Sequence, residues 1–502
     1  VTLVARPLAS AFPAAVALSG LWCFGALAAA GADLLSDEGV FHTGHLAGFL
    51  DAFLGVALPT GVIAVAELLA WPGAVLVGIM ACAAVLAAVA LSSRAATIIG
   101  LVCAALAMSV IHLRNPLLSN SSDVLLGQLC IAAAFCVALG GGRLARIGLA
   151  FYGALVYVGS VAFKLRGDHW WPEASALERT LGASEITRPL GRALLANASP
   201  EMLAAATTGA LALEALAPLC VLAAAVSPLV SPMSRGALKT SPDLVSVHRR
   251  RLAATLEEIG RASAASLVAL HIALLLLLDI GPFPAVCLAL WLPLSLRDSR
   301  LTAAPSQRPW GFAGPAWIAW LSASAASLCA FLWTPRWAHS GEVHLTLYLA
   351  HLKHYWSMFS PAPTHSTRYE FVSEDGSLSD PRAFSPGNAF AIGHEGYAWR
   401  VYRDVFWADL WRYEGRAARE RGDAQRPRLG ADLGATLAER ACAAAPEGTL
   451  RVSLVALRRE NSVETRFRFP SPEAKEVAAV GAVASVGTEE RVVVGRAGCP
   501  VR

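Results

Sequence analysis

The sequence predicts an all-α polytopic membrane helical bundle of about nine spans, followed by a small C-terminal α+β extracytoplasmic domain. Three observations predict it. Of 502 residues, 55% are hydrophobic and only 16% charged, with a mean hydropathy of +0.51, whereas soluble domains carry roughly 25% charged residues. Apolar windows able to cross a hydrocarbon core of ~30 Å recur as far as residue 333. Beyond residue 334 Arg, Glu, His and Trp become frequent and no window could span a bilayer. Collagen-like, disordered and disulfide-scaffold classes are excluded by the same composition. A net charge of +4 gives no argument for a nucleic-acid partner.

The expected spans run approximately 11 to 31, 73 to 91, 95 to 112, 124 to 141, 147 to 163, 203 to 229, 262 to 280, 281 to 296 and 312 to 333. The eighth is short and carries Pro282 and Pro284. The first has a weak basic start at Arg6 and is followed by many others, so it reads as a span, not a cleaved leader. The residues divide into a bundle, 1 to 333, and a tail, 334 to 502. Within the tail, β-like runs fall at Tyr369 to Val372, Leu450 to Leu457, Thr465 to Phe469 and Arg491 to Val494, with helical patterns near Trp399 to Arg421 and Leu433 to Ala445.

Orientation follows from the short loops. With a cytoplasmic N-terminus, thirteen Lys and Arg fall on the cytoplasmic side and six on the other, the bias expected of inner-membrane proteins. The tail is then extracytoplasmic, the expected location is a bacterial inner membrane, and the apolar piece 52 to 70, interrupted by Glu67, does not count as a span. Eight cysteines lie in apolar stretches and behave as small hydrophobes. Cys442 and Cys499 lie in the tail and are expected to pair if that compartment is oxidising.

Charged groups within or at the rim of a membrane are costly, and each needs an account. Lys164 closes the fifth span ahead of Trp170-Trp171. It reads either as a lysine snorkelling to the interface beside an aromatic belt, or as a desolvated general base. Glu214 and His271 lie in the sixth and seventh spans. At ~1.5 Å per residue they sit ~16 Å and ~12 Å from opposite ends of these spans, hence at similar depth. A direct Glu-His hydrogen bond, as a structural clasp or as the wall of a polar cavity, is one expectation. In the loop His112 to Asp123, Asp123 or a neighbouring Ser reads as the N-cap of the fourth span; Arg114 could instead bind an anion at the bundle mouth. His42-x-x-His45 and the set His344, His351 and His354 lack zinc-like spacing, so no metal is expected. Phosphate-binding glycine loops and Gly-x-Ser-x-Gly elbows are missing from the sequence, and Arg249-Arg250-Arg251 reads as an anchor to anionic headgroups of membrane lipids.

Taken in order, several passages resemble the HTTM family, the membrane module of vitamin K-dependent gamma-carboxylases and many bacterial relatives. They are Asp33 to Gly39 (DLLSDEG), His112 to Asp123 (HLRNPLLSNSSD), the run from Tyr157 through Lys164, Leu165 and Trp170 to Leu190, Leu211 to Leu216 (LALEAL), His271 to Pro284 (HIALLLLLDIGPFP) and Tyr355 to Pro363 (YWSMFSPAP). The resemblance implies a membrane enzyme that oxidises a reduced vitamin K-type quinone with O2 to drive addition of CO2 to a peptide glutamate. On that analogy Lys164 and His271 are the expected catalytic residues, and Arg114, Asn115, Asp123, Trp170 and Glu214 the expected substrate-binding ones. Membrane lipids and a secreted peptide or protein substrate are the implied partners. The chain departs from the family at Trp170-Trp171-Pro172-Glu173, where a Trp-x-x-Gly is usual, and at Ser119 to Asp123, where animal carboxylases have an Asn-His element. A non-carboxylating module that assists maturation or export of a secreted partner is the alternative expectation.

Overall fold

The computed structural model describes residues 7–34, 71–114, 121–182, 186–230, 244–296, 311–333, 351–352, 365–373, 378–379, 451–460 and 490–498. Among these are the helices α1 (Pro7–Leu34), α2 (Trp71–Ala90), α3 (Arg94–Arg114), α4 (Ser121–Ala138), α5 (Arg143–Lys164), α6 (Ala176–Gly182), α7 (Pro189–Asn197), α8 (Pro200–Val230), α9 (Leu244–Leu277), α10 (Phe283–Ser295) and α11 (Ala313–Trp333). Four strands follow: β1 (His365–Ser373), β2 (Leu378–Ser379), β3 (Arg451–Glu460) and β4 (Glu490–Gly498).

Among the described residues seven helices, α1 to α5, α8 and α9, are long and apolar enough to cross a membrane, where nine spans were expected. The chain is a multi-pass integral membrane protein of the all-α bundle class. The expected eighth span is α10, whose 13 residues reach only about 20 Å at ~1.5 Å per residue, short of a ~30 Å core. Val286, Leu290 and Trp291 of α10 are nevertheless fully enclosed, while Leu292 is exposed, so protein covers most but not all of it. The expected ninth corresponds to α11, a full 21 residues that is not among the seven. Outward faces carry exposed large apolar residues, among them Leu76, Met80, Ile99, Leu106, Leu216 and Ile318. Such a surface would be an aggregation hazard in water and is the matched surface in lipid.

Successive helices run antiparallel and meet at small residues. Gly20 of α1 faces Cys82 of α2, and Gly100 of α3 lies so close to Val85 that a Cβ there would stand 2.7 Å from its methyl. Small residues are what allow lipid-embedded helices to approach this closely. Because α1 and α2 are antiparallel neighbours, the chain leaves α1 and enters α2 at the same end of the bundle. The piece 52 to 70 itself lies outside the described residues. Arg94 donates to the carbonyls of Val137 and Ala138 at 3.0 and 2.8 Å, satisfying acceptors that the end of α4 leaves open. The turn into α5 is made by Gly140 and Gly141, with φ of 65° and 63°, values only glycine adopts without strain.

At the opposite end, residues 165–182 and 186–199 form a largely helical cap over α5 and α8. An isolated antiparallel bridge between Thr187 and Leu278, backbone bonds from Arg188 N to Leu277 O (3.0 Å) and from Asp279 N to Ile186 O (2.7 Å), and the Arg188–Asp279 ion pair (3.4 Å) tie the cap to the end of α9. Arg166 donates to Leu332 O at 2.8 Å, so α11 ends on the same side as the cap.

The strands form one antiparallel sheet in the order β2-β1-β3-β4, with Tyr369 opposite Ala456 and a register shift at Leu454/Val455 between β3 and β4. Three of the four expected β-like runs are thereby located. The run 465 to 469, both expected tail helices and the proposed Cys442–Cys499 pair lie outside the described residues, as do His42, His45, His344, His354 and Asn115.

Candidate functional site

On α5, Tyr157, Ser160 and Lys164 recur at i, i+3 and i+7, so all three lie on one helix face. Two partner helices meet that face. From α8, Glu214 places Oε2 2.5 Å from Lys164 Nζ and also accepts from Ser160 Oγ at 3.3 Å. From α9, His271 offers Nε2 to the Tyr157 hydroxyl. The expected direct bond between Glu214 and His271 therefore does not form, because each carboxylate or imidazole is taken by an α5 residue lying between the helices.

Lys164 does not snorkel. Its residue exposure is 4%, against 9% for Glu214, because the cap stacks on the end of α5 and closes the route to water. Trp170 supplies the roof: its ring lies 4.4 Å from Nζ, an approach that stabilises a cation over an aromatic face. Trp170 is held by packing against Ala176 and Leu211, and the cap is further joined to α8 by Leu177 N donating to Thr207 Oγ1 at 3.2 Å. In this way the first turns of α8 stand above the site and Glu214 comes level with the end of α5. On the cap's surface His169 Nδ1 lies 2.8 Å from Glu173 Oε2, and this hydrogen bond holds the Glu173 carboxyl below its ordinary value.

The lower tier is aromatic. Tyr157 meets His271 and Trp291 edge-on at 6.1 and 5.2 Å, and His271 meets Phe283 at 6.0 Å. Trp291 fits because position 153 is glycine: a Cβ there would lie 2.7 Å from the indole. His271 is 3% exposed, and its Nδ1 has no hydrogen-bond partner among the described residues. Such an atom is uncommon in an interior and calls for a reason.

Beside the ion pair, Val161, Leu165 and Trp171 on one side and Thr208, Leu211, Ala212 and Ala215 on the other line an open groove of about 310 Å³. Val161 and Leu165 flank Lys164 in sequence, and Leu211 and Ala215 flank Glu214. The groove thus opens on the outward face of the two helices that hold the charged pair, and its lining is almost wholly apolar.

Arg114 closes α3 and Asp123 lies in the first turn of α4, both toward the capped end of the bundle. Asp123 is not an N-cap: α4 starts at Ser121, and Asp123 Oδ2 instead lies 3.1 Å from His112 Nε2, both side chains fully enclosed. Arg114 is 5% exposed. His351, with a φ of 52°, brings its Nε2 to 3.1 Å from Ser109 Oγ. Burial, and then His112, depress its pKa from 6.5 to about 4.

Lys164, Glu214 and Trp170 are thus brought into direct contact, His271 hydrogen-bonds Tyr157 on the same face of α5, Asp123 meets His112, and Arg114 is enclosed at the end of α3. Sequence reasoning gave no role to Tyr157, Ser160 or His112, and weighed His351 only as a metal ligand. The spacing 157, 160, 164 was the available signal for the first two. No protein-family model matches the chain, no curated protein matches it, and no solved structure matches it.

Proposed function

We propose that this protein is an HTTM-type membrane enzyme in which the Lys164–Glu214 pair takes a proton from a lipid-soluble hydroquinone that reaches it laterally from the bilayer. The observation that carries the reading is the buried 2.5 Å pair under Trp170 beside a membrane-facing apolar groove. A groove of about 310 Å³ lies at the lower end of the range for small-molecule sites, and its apolar lining suits a ring with a hydrocarbon tail. The unpartnered Nδ1 of His271 adds a polar station one tier below. A bound reduced quinone of the vitamin K type would supply, with O2, the driving force to remove a γ-proton from a peptide glutamate, to which CO2 then adds.

The chain's own contribution is threefold. Lys164 and Glu214 handle a proton at Nζ and Oε2, Trp170 and the cap exclude water from them, and Tyr157 with His271 holds the α5 face in register. The tail departs from the end of α11, on the same side as the cap, which favours a peptide substrate arriving at that end. In the orientation favoured by the charge bias this is the extracytoplasmic face of an inner membrane. The test is reconstitution in liposomes with reduced menaquinone or phylloquinone, O2 and bicarbonate. Epoxide is expected from the wild type and should fall to background in Lys164→Ala; epoxide no greater than that control in the wild type would overturn the proposal.

A further inference from the structure

A lysine already carrying its proton is no base, and the pair seen here accounts for its protons strictly. Lys164 and Glu214 lie 2.5 Å apart, nearly enclosed, with Ser160 donating to the same carboxylate oxygen and Trp170 over the ammonium. As ammonium and carboxylate, or as amine and carboxylic acid, the pair holds one proton and no net charge. An ammonium has three donors and no acceptor. The only acceptor capacity left in the pair is on Glu214. We infer that Glu214 is the residue that finally stores the abstracted proton, with Lys164 relaying it; this rests on the reading given above for the pair.

The step balances. The ammonium passes one proton to the Glu214 carboxylate, and the freed amine takes the proton of the donor hydroxyl, whose oxygen keeps the electron pair of the broken O–H bond. The pair ends as ammonium and carboxylic acid, one proton and one positive charge richer, and that charge faces the new oxyanion. Ser160 is placed to stabilise the starting carboxylate and Trp170 the final cation. Among the described residues, the other titratable groups that interact electrostatically with the pair are Tyr157, His271 and Cys287. None of them hydrogen-bonds Lys164 or Glu214, whose hydrogen-bond partners among the described residues are each other and Ser160. Glu214 acts through Lys164 and is a positioning and proton-storing residue, not one that touches the donor.

The test uses infrared difference spectroscopy on the full-length protein in liposomes, without O2 so that no turnover occurs, on adding phylloquinone reduced beforehand. A protonated-carboxyl stretch is expected in the wild type, displaced in Glu214→Asp and lost in Glu214→Gln, with ionisation of the probe followed by its ultraviolet absorbance. With O2 restored, epoxide formation in Glu214→Gln is expected to fall by about 10²-fold, the low end of what a proton-transfer partner contributes, and to recover in part in Glu214→Asp. Ionisation of the probe and epoxide in the wild type without the carboxyl band, or with a band unaltered in Glu214→Asp, would leave Lys164 as base and overturn the role of Glu214. Failure of the wild type to ionise the probe at all would overturn both readings together, and is distinguished by that absorbance.

Discussion

At Lys164 the deciding quantity is the free energy of keeping a charge out of water. An isolated ammonium in a low-dielectric interior costs several kcal/mol, and a paired one survives only if its geometry is good and its other hydrogen bonds are met. Side-chain exposures of 5% for Lys164 and 11% for Glu214 put the pair in that regime. Removing one partner should therefore cost more than removing both. Lys164→Met and Glu214→Leu are each expected to destabilise the detergent-solubilised protein by about 3–5 kcal/mol, and the double variant to recover most of the loss. Thermal and denaturant unfolding of the four proteins checks this; additive losses would mean that the two side chains do not depend on each other.

The same chemistry is spread over elements by close helix contacts. Trp291 reaches Tyr157 only because Gly153 leaves space, and a Cβ at 153 would stand 2.7 Å from the indole. Rigid backbone on one side and a fully enclosed tryptophan on the other give little room for adjustment. Gly153→Ala is expected to cost about 1–3 kcal/mol, the usual range for overpacking, and to shift Trp emission. Gly25→Ala, on the same type of helix but with no atom near its added Cβ, should be close to neutral. A comparison of melting temperatures distinguishes packing at 153 from a general intolerance of added methyls. The short helix α10 belongs to this scale as well: hydropathy marks it as apolar but cannot tell a short enclosed helix from a span. Its 13 residues are too few to cross ~30 Å of hydrocarbon unaided, yet it leads from the end of α9 at the cap toward the start of α11 near Leu144 at the other end.

Across the whole molecule, the capped end gathers Lys164, the His112–Asp123 pair, the end of α11 and His351. Docking of His351 against Ser109 should depend on pH. Its pKa is lowered from 6.5 to about 4 when docked, so the undocked form binds the extra proton more readily. The docked state is thus fully favoured above pH 6.5 and loses ground as pH falls from there toward about 4. A thiol introduced as Leu352→Cys should become more reactive toward an impermeant maleimide between roughly pH 7 and roughly pH 5, relative to a solvent-exposed reference thiol. In His351→Gln that pH dependence should vanish; an unchanged profile would show that another group controls docking.

Much of this was legible from residue order. Low charge and recurrent apolar windows follow from the cost of backbone and charge in hydrocarbon, so the membrane bundle and three of the tail strands were readable without coordinates. Lys164, Glu214 and His271 stood out because a polar group in an apolar run is expensive wherever it ends up. Which of them meet was another matter. The pairing of Lys164 with Glu214 and of His271 with Tyr157 spans separations of 50 and 114 residues, and depends on how α8 and α9 lean on α5. The sequence by itself determined that buried charges must be answered by partners. Only the tertiary structure decided which partners, because a helical repeat specifies the face of one helix and says nothing of the neighbour that will cover it.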